Sequence, residues 1–220
     1  CGANSGLTGF AAPDANGEYQ GFDASLCKAI AAAVLGDASK VKFVPLSSEV
    51  RFTALASGEV DVLIRNSTFT FSRDSDLKLD FPVINYYDGQ GFMVKKDLGV
   101  SSAKELDGAT VCIQTGTTTE LNLADFFKAN NISYTPVTVG DDSEAQRQYE
   151  AGACDAFTTD ASGLASNRTA MADPVVGMTA LVPEASLARV NDVATGIALM
   201  LLGTGLAFYL GKPLIQPQAP

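Results

Sequence analysis

The chain has 220 residues, of which 46% are hydrophobic and 18% charged, and its net charge is −10. That is enough apolar chain for one large packed domain or two small ones. The negative balance excludes a nucleic-acid partner, which needs a basic face to displace counterions. There is no histidine, so Ser-His-Asp and Cys-His catalysis are excluded and the commonest metal ligand is missing.

Four cysteines stand at Cys1, Cys27, Cys112 and Cys154. None forms a CxxC pair, which argues against zinc or thioredoxin-type chemistry. An even count fits two disulfides in an oxidising compartment. Four cysteines allow three pairings, and buried free thiols are the alternative, since Cys27 lies on an apolar helix face. An upstream signal segment is expected to have been removed before Cys1. Lipidation of Cys1 is disfavoured, because no flexible tether follows it.

Taken in chain order, Asp23 is placed to cap a helix through Leu35, with Leu26, Cys27, Ile30 and Val34 on one face and Gly36 as its stop. Residues 41–45 read as a short apolar strand. Ser48 caps a second expected helix over 49–57, ended by Gly58, and 60–64 reads as a buried strand. Alternating strands and helices imply a mostly parallel sheet covered on both faces. Residues 81–94 are extended, aromatic and glycine-punctuated, the pattern of a crossing between two lobes. The alternation then restarts: strand 110–114, helix 120–129 with Leu121, Ala124, Phe127 and Lys128 on its inner side, strand 133–139, helix 143–151 and strand 154–158. Residues 193–210 carry no charge and read as an apolar helix, either buried in a core or, slightly short, crossing a membrane. The tail 212–220 holds three prolines and is expected to be irregular.

The two halves echo each other. Each passes from a helix through a glycine, Gly58 or Gly152, into a strand, and at the same offset after that glycine stands a polar residue, Asn66 or Asp160. Both fall just past the C-terminal end of an expected strand, where open α/β sheets bind ligands. Three clusters sit at such ends. In Arg65–Arg73, an arginine offers a fork matched to a carboxylate, while Thr68 and the Asn66 carbonyl offer acceptors for an ammonium. In Gln114–Glu120, a strand meets Gly116 and a helix start with the Thr117/Glu120 capping-box spacing, whose N–H groups suit an anion. The GxxxxGK[ST] loop of nucleotide binders is absent. In Thr158–Gly163, Asp160 can receive an α-ammonium. Each cluster also has a structural reading, as a surface ion pair or a helix cap. Taken together, an arginine, a helix start and an acid match the carboxylate and ammonium of a free α-amino acid.

Four long motifs carry a family resemblance: GxxDVLxRNxTxTxSRD from Gly58 to Asp74, NYYDGQGFMV from Asn85 to Val94, VCIQTGTTTELNLADFFKANN from Val111 to Asn131, and GACDAFTTDASGL from Gly152 to Leu164. Over about residues 1–172 the chain resembles the polar amino-acid-binding proteins of ABC importers, especially the general L-amino-acid-binding subgroup. The resemblance implies a two-lobed periplasmic-binding-protein-like α/β fold that closes by a hinge, here C-terminally truncated and ending in the apolar helix. The lobes would be 1–88 and 89–180, with 181–220 as the apolar segment. It implies Arg73, Gly116, Thr117 and Thr118 for the ligand carboxylate, and Asp160, Asn66 and Thr68 for the ammonium. A stacking aromatic, common in relatives, would fall near Leu7 and is absent. The resemblance also implies the pairs Cys1–Cys27 and Cys112–Cys154. Residues 189–220 resemble instead a membrane segment of sugar- or nucleoside-type ABC permeases. The function implied is extracytoplasmic, periplasmic binding of a free L-amino acid for delivery to an ABC permease, without catalysis, cofactor or metal. A dehydratase-like enzyme on the same scaffold and a membrane-tethered amino-acid sensor are the alternatives.

Overall fold

Hydrophobic runs of four to six residues and amphipathic stretches between them sort the chain into alternating strands and helices. The computed structural model describes residues 1–171 and the backbone of residues 178–179 and 206–210. It divides into two compact units, Cys1–Tyr86 with Gly205–Pro220, and Tyr87–Thr204. The first holds β1 (Gly2–Ala3), β2 (Ala12–Pro13), β3 (Tyr19–Gln20), α1 (Phe22–Leu35), β4 (Val44–Pro45), α2 (Arg51–Ser57), β5 (Val62–Arg65), α3 (Phe71–Ser75) and β6 (Ile84–Tyr86). The second holds β7 (Gln90–Val94), β8 (Ala109–Gln114), α4 (Thr118–Ala129), β9 (Tyr134–Val139), α5 (Asp142–Glu150), β10 (Ala156–Asp160), α6 (Ala161–Ala170) and β11 (Met178–Thr179). A last strand, β12 (Leu206–Leu210), returns to the first unit.

Each unit is built on a five-stranded sheet, ordered β4-β1-β5-β12-β6 in the first and β11-β7-β10-β8-β9 in the second. In the first, β1 runs parallel to β4 and β5. In the second, β8 runs parallel to β9 and β10, and β7 is antiparallel to β10. Phe92, Val111, Ile113 and Ala156 pack with Leu123, Phe126 and Phe127 of α4 on one face of the second sheet. Met93, Cys112, Phe157 and Val139 pack with α5 and α6 residues Ala145, Tyr149 and Leu164 on the other. Both faces are therefore covered, but the mostly parallel sheet expected is mixed: β7 is antiparallel to both β10 and β11, and β12 is antiparallel to both β5 and β6. All four cysteines are paired, Cys1 with Cys27 in the first unit and Cys112 with Cys154 in the second.

Several local expectations need correction. α1 ends at Gly36 in the left-handed conformation, φ 71°, as a helix stop should. Its cap, however, is Gly21, not Asp23. A Cβ at Gly21 would lie 2.4 Å from the Phe10 carbonyl oxygen, so the chain entry leaves room only for glycine. Asp23 falls inside the first turn and is completely buried. α2 begins at Arg51 with Val50 as its cap, because the Ser48 hydroxyl accepts from Arg65 Nη2 at 3.1 Å instead of capping the helix. In α4 the buried stripe is Thr119, Leu123, Phe126 and Phe127. Leu121 is 66% exposed, since that i, i+4, i+7, i+8 stripe turns it to the opposite side.

The apolar helix expected over residues 193–210 does not include its last five residues, which form β12. This strand is antiparallel to β5 with Ala207 opposite Arg65 and Leu210 opposite Val62, and it pairs β6 on its other side. A strand here joins the backbone groups of β5 and β6, which a helix would leave unpaired. Residues 193–205 lie outside the described residues, as does the tail 212–220. Among the described residues no helix is long and apolar enough to cross a membrane.

Candidate functional site

In the first unit the loop after β5 carries Asn66, Thr68 and Arg73. Arg73 lies in α3, whose cap Thr70 accepts the Arg73 N–H at 3.1 Å. The Arg73 side chain turns back along the loop, and its Nη1 donates to the Thr68 carbonyl at 2.8 Å. The guanidinium is largely buried and stands 4.7 Å from the centroid of the Phe52 ring. This is a cation held by a carbonyl and an aromatic face.

Beneath the loop lies a buried polar cluster that sequence reasoning missed. The Asn66 side-chain oxygen accepts from Asn4 Nδ2 at 3.2 Å and from Arg65 Nη2 at 3.1 Å. Its backbone carbonyl accepts from Arg51 Nη1 at 2.9 Å. Arg51 and Arg65 are both almost fully buried. Asp23 faces the same cluster electrostatically. Burial pushes its carboxyl up to about 7, against the opposing pull of Arg65.

In the second unit the candidates gather at one sheet edge. β8 and β10 are adjacent and parallel, so the α4 start after β8 and Asp160 at the end of β10 share the C-terminal edge. The expected capping box forms only in part, because the Glu120 side chain reaches the N–H of Gly116 and not that of the cap residue Thr117. The Thr117 hydroxyl accepts the Glu120 N–H at 3.1 Å and reaches the Gln114 carbonyl at 2.8 Å. Glu120 Oε2 accepts the Gly116 N–H at 2.9 Å. Gly116 and Thr117 are thus engaged in shaping the helix start, with Thr118 the first residue of the helix itself.

Gln90 ties the two parts of this edge together. It pairs directly opposite Asp160, and its Nε2 donates to the Thr119 carbonyl at 3.1 Å and to Thr158 Oγ1 at 3.0 Å. Thr158 and Asp160, two apart on a strand, share a face, and Gln90 joins that face to the first turn of α4. Sequence reasoning missed Gln90, Asp88, Arg51 and Phe52. The one signal present was the polar Asp88-Gly89-Gln90 run inside an otherwise apolar crossing. Among the described residues no group of three His, Cys, Asp or Glu side chains is placed to hold a metal ion.

The profile of the bacterial extracellular solute-binding proteins, family 3, matches residues 1–200. The chain belongs to that family. The match runs past residue 189, into the segment that resembles a permease. This solute-binding protein is similar to the glutamate/glutamine/aspartate/asparagine-binding protein of Rhodobacter capsulatus, 75% identical over 171 residues, 78% of this chain and 51% of the relative. It is also similar to the general L-amino acid-binding periplasmic protein of Rhizobium johnstonii, 58% identical over 174 residues, 79% of this chain and 51% of the relative. A solved periplasmic binding protein of an ABC transporter from Brucella ovis, with glutathione bound, superposes with a TM-score of 0.80 at 53% identity, covering 83% of this chain and 58% of that one. The α/β periplasmic-binding-protein fold expected from the sequence is therefore the fold observed. The chain spans about half the length of the curated relatives it matches. Membership places the protein outside the cytoplasm, the oxidising side where paired cysteines persist.

Proposed function

We propose that this solute-binding protein binds a free L-amino acid and presents it to the membrane permease of an ABC importer. The observation that carries the reading is the shared edge of the second unit, where Asp160 ends β10 beside the capped start of α4. An acid and a helix N-terminus at one edge offer opposite charges to the two ends of an α-amino acid. Arg73 in the first unit, oriented by Thr68 and Phe52, supplies the bidentate partner for the carboxylate. Thr118 adds a donor at the helix start, while Gly116 and Thr117 shape it. Asp160 receives the ammonium, with Thr68 and the Asn66 carbonyl assisting. The relatives' names support an amino-acid ligand.

The protein is read as a binder without catalysis. Arg73 and Asp160 are accounted for by recognition, and the chain has no histidine to move a proton. Calorimetry with L-glutamate, and with glutarate, which lacks the ammonium, tests this directly. L-Glutamate is expected to bind and glutarate to bind far more weakly. Equal affinity for both would refute the role of Asp160. Proton NMR of the amino acid after incubation should show it unchanged, and conversion would restore the dehydratase-like alternative.

A further inference from the structure

α6 begins directly after Asp160, which makes Asp160 its N-cap residue. An aspartate in that position ordinarily turns its carboxylate onto the N–H of the second or third helical residue. Asp160 makes no such bond. The donors at the start of α6 are taken by the crossing segment instead. The Ala161 N–H donates to the Gly89 carbonyl at 2.7 Å. The Ser162 N–H donates to both carboxylate oxygens of Asp88, at 3.1 and 3.3 Å, and the Ser162 hydroxyl donates to Asp88 as well. Asp88 is held in turn by the Gly89 N–H at 2.8 Å. The seat is close-fitting: a Cβ on Gly91 would lie 3.0 Å from Leu164 Cδ1 and 3.7 Å from the Ala161 Cα.

We propose that Asp88 is a positioning residue for amino-acid recognition: by capping α6 from the segment between β6 and β7, it keeps the Asp160 carboxylate off its own helix start and directed to the ligand ammonium. The proposal rests on the reading of Asp160 as the ammonium partner. Asp88 touches no ligand in it. Its effect passes through the choice Asp160 has between two sets of donors. With Asp88 in place, the Ala161 and Ser162 donors are already taken, and a capping turn of Asp160 onto Ser162 would gain nothing. Without Asp88, the Ser162 N–H lies open at a helix start, and Asp160 is the nearest carboxylate in sequence.

Calorimetry with L-glutamate and L-glutamine as probes compares the wild type, Asp88→Ala and Asp88→Asn, each also in an Asp160→Asn background. Asp88→Ala should weaken binding about fivefold or more, the factor that matches loss of an N-cap. Asp88→Asn should restore it, because asparagine caps as well as aspartate. In the Asp160→Asn background, Asp88→Ala should change nothing further. Affinity within twofold of wild type, or an equal loss in both backgrounds, overturns the proposal. A crystal structure of Asp88→Ala gives a readout that needs no ligand. Asp160 turned onto the Ser162 or Gly163 N–H supports the proposal, and Asp160 unmoved overturns it. If the wild type binds neither probe, it is the amino-acid reading that fails, and the crystal structure still decides the capping claim.

Discussion

The Arg51 guanidinium donates a 2.9 Å hydrogen bond to the backbone carbonyl of Asn66. That carbonyl was one of the acceptors assigned to the ligand ammonium. Arg51 occupies one of its lone pairs and brings a positive charge to the same atom, so the carbonyl is a weaker partner for a second cation. On the proposed assignment, ammonium recognition falls chiefly to Asp160. Asp160→Ala should cost ~3–5 kcal/mol of binding, the penalty for leaving a charge buried and unpaired. Thr68→Ala should cost about 1 kcal/mol, one hydrogen bond. Calorimetry with L-glutamate measures both, and equal losses would contradict this division.

Asp23 predicts a pH effect on stability. Its carboxyl rises from 3.8 to about 7 in the fold, first through burial, and both its oxygens are buried without a hydrogen-bond partner. The folded chain thus holds this proton where the unfolded chain has lost it. The contribution of Asp23 to stability is full below its ordinary value of 3.8 and is lost as pH rises through about 7, by an amount on the order of a few kcal/mol. Asp23→Asn should stabilise the protein at pH 8, with the gain shrinking to nothing near pH 4. Urea unfolding at the two pH values measures it, and an equal effect at both would contradict the assignment.

Tyr149 offers a simpler test. Its side chain is 1% exposed, and its hydroxyl is buried without a hydrogen-bond partner. Burial pushes the phenol's ionisation well above the usual range. Tyr149→Phe keeps the ring and removes the unsatisfied group, so stability should rise by ~1 kcal/mol. A fall in the urea midpoint would show that the hydroxyl contributes to the fold.

The disulfides close loops of 26 and 42 residues. Replacing Cys112 and Cys154 together by serine should cost roughly 4 kcal/mol, and Cys1 with Cys27 slightly less, on the chain-entropy scale. Thermal unfolding of the two double variants ranks them, and the larger loss is expected in the second unit.

Much of the fold was legible locally. Helix stops at Gly36 and Gly58, the Thr117 cap of α4, and the buried runs of β5, β8 and β10 all follow from short-range periodicity and caps. What was missed depends on partners distant in sequence. Gln90 meets Thr158 across 68 residues, and Asp88 meets Ser162 across 74. No spacing rule brings such groups together. Asp23 shows the same limit, since an aspartate at a helix start reads as a cap whether it faces water or the interior. The β12 segment failed for another reason: the five apolar residues Leu206–Leu210 fit a buried strand as well as the end of a longer helix, and only the partners in the sheet decide.

The central claim is that this chain binds a free L-amino acid. Thermal unfolding of the protein with each of the twenty L-amino acids tests it most directly, because a ligand that binds only the folded state raises the midpoint by mass action. The account predicts a rise with at least one of them, and its loss in Asp160→Ala. No rise with any of the twenty would contradict it.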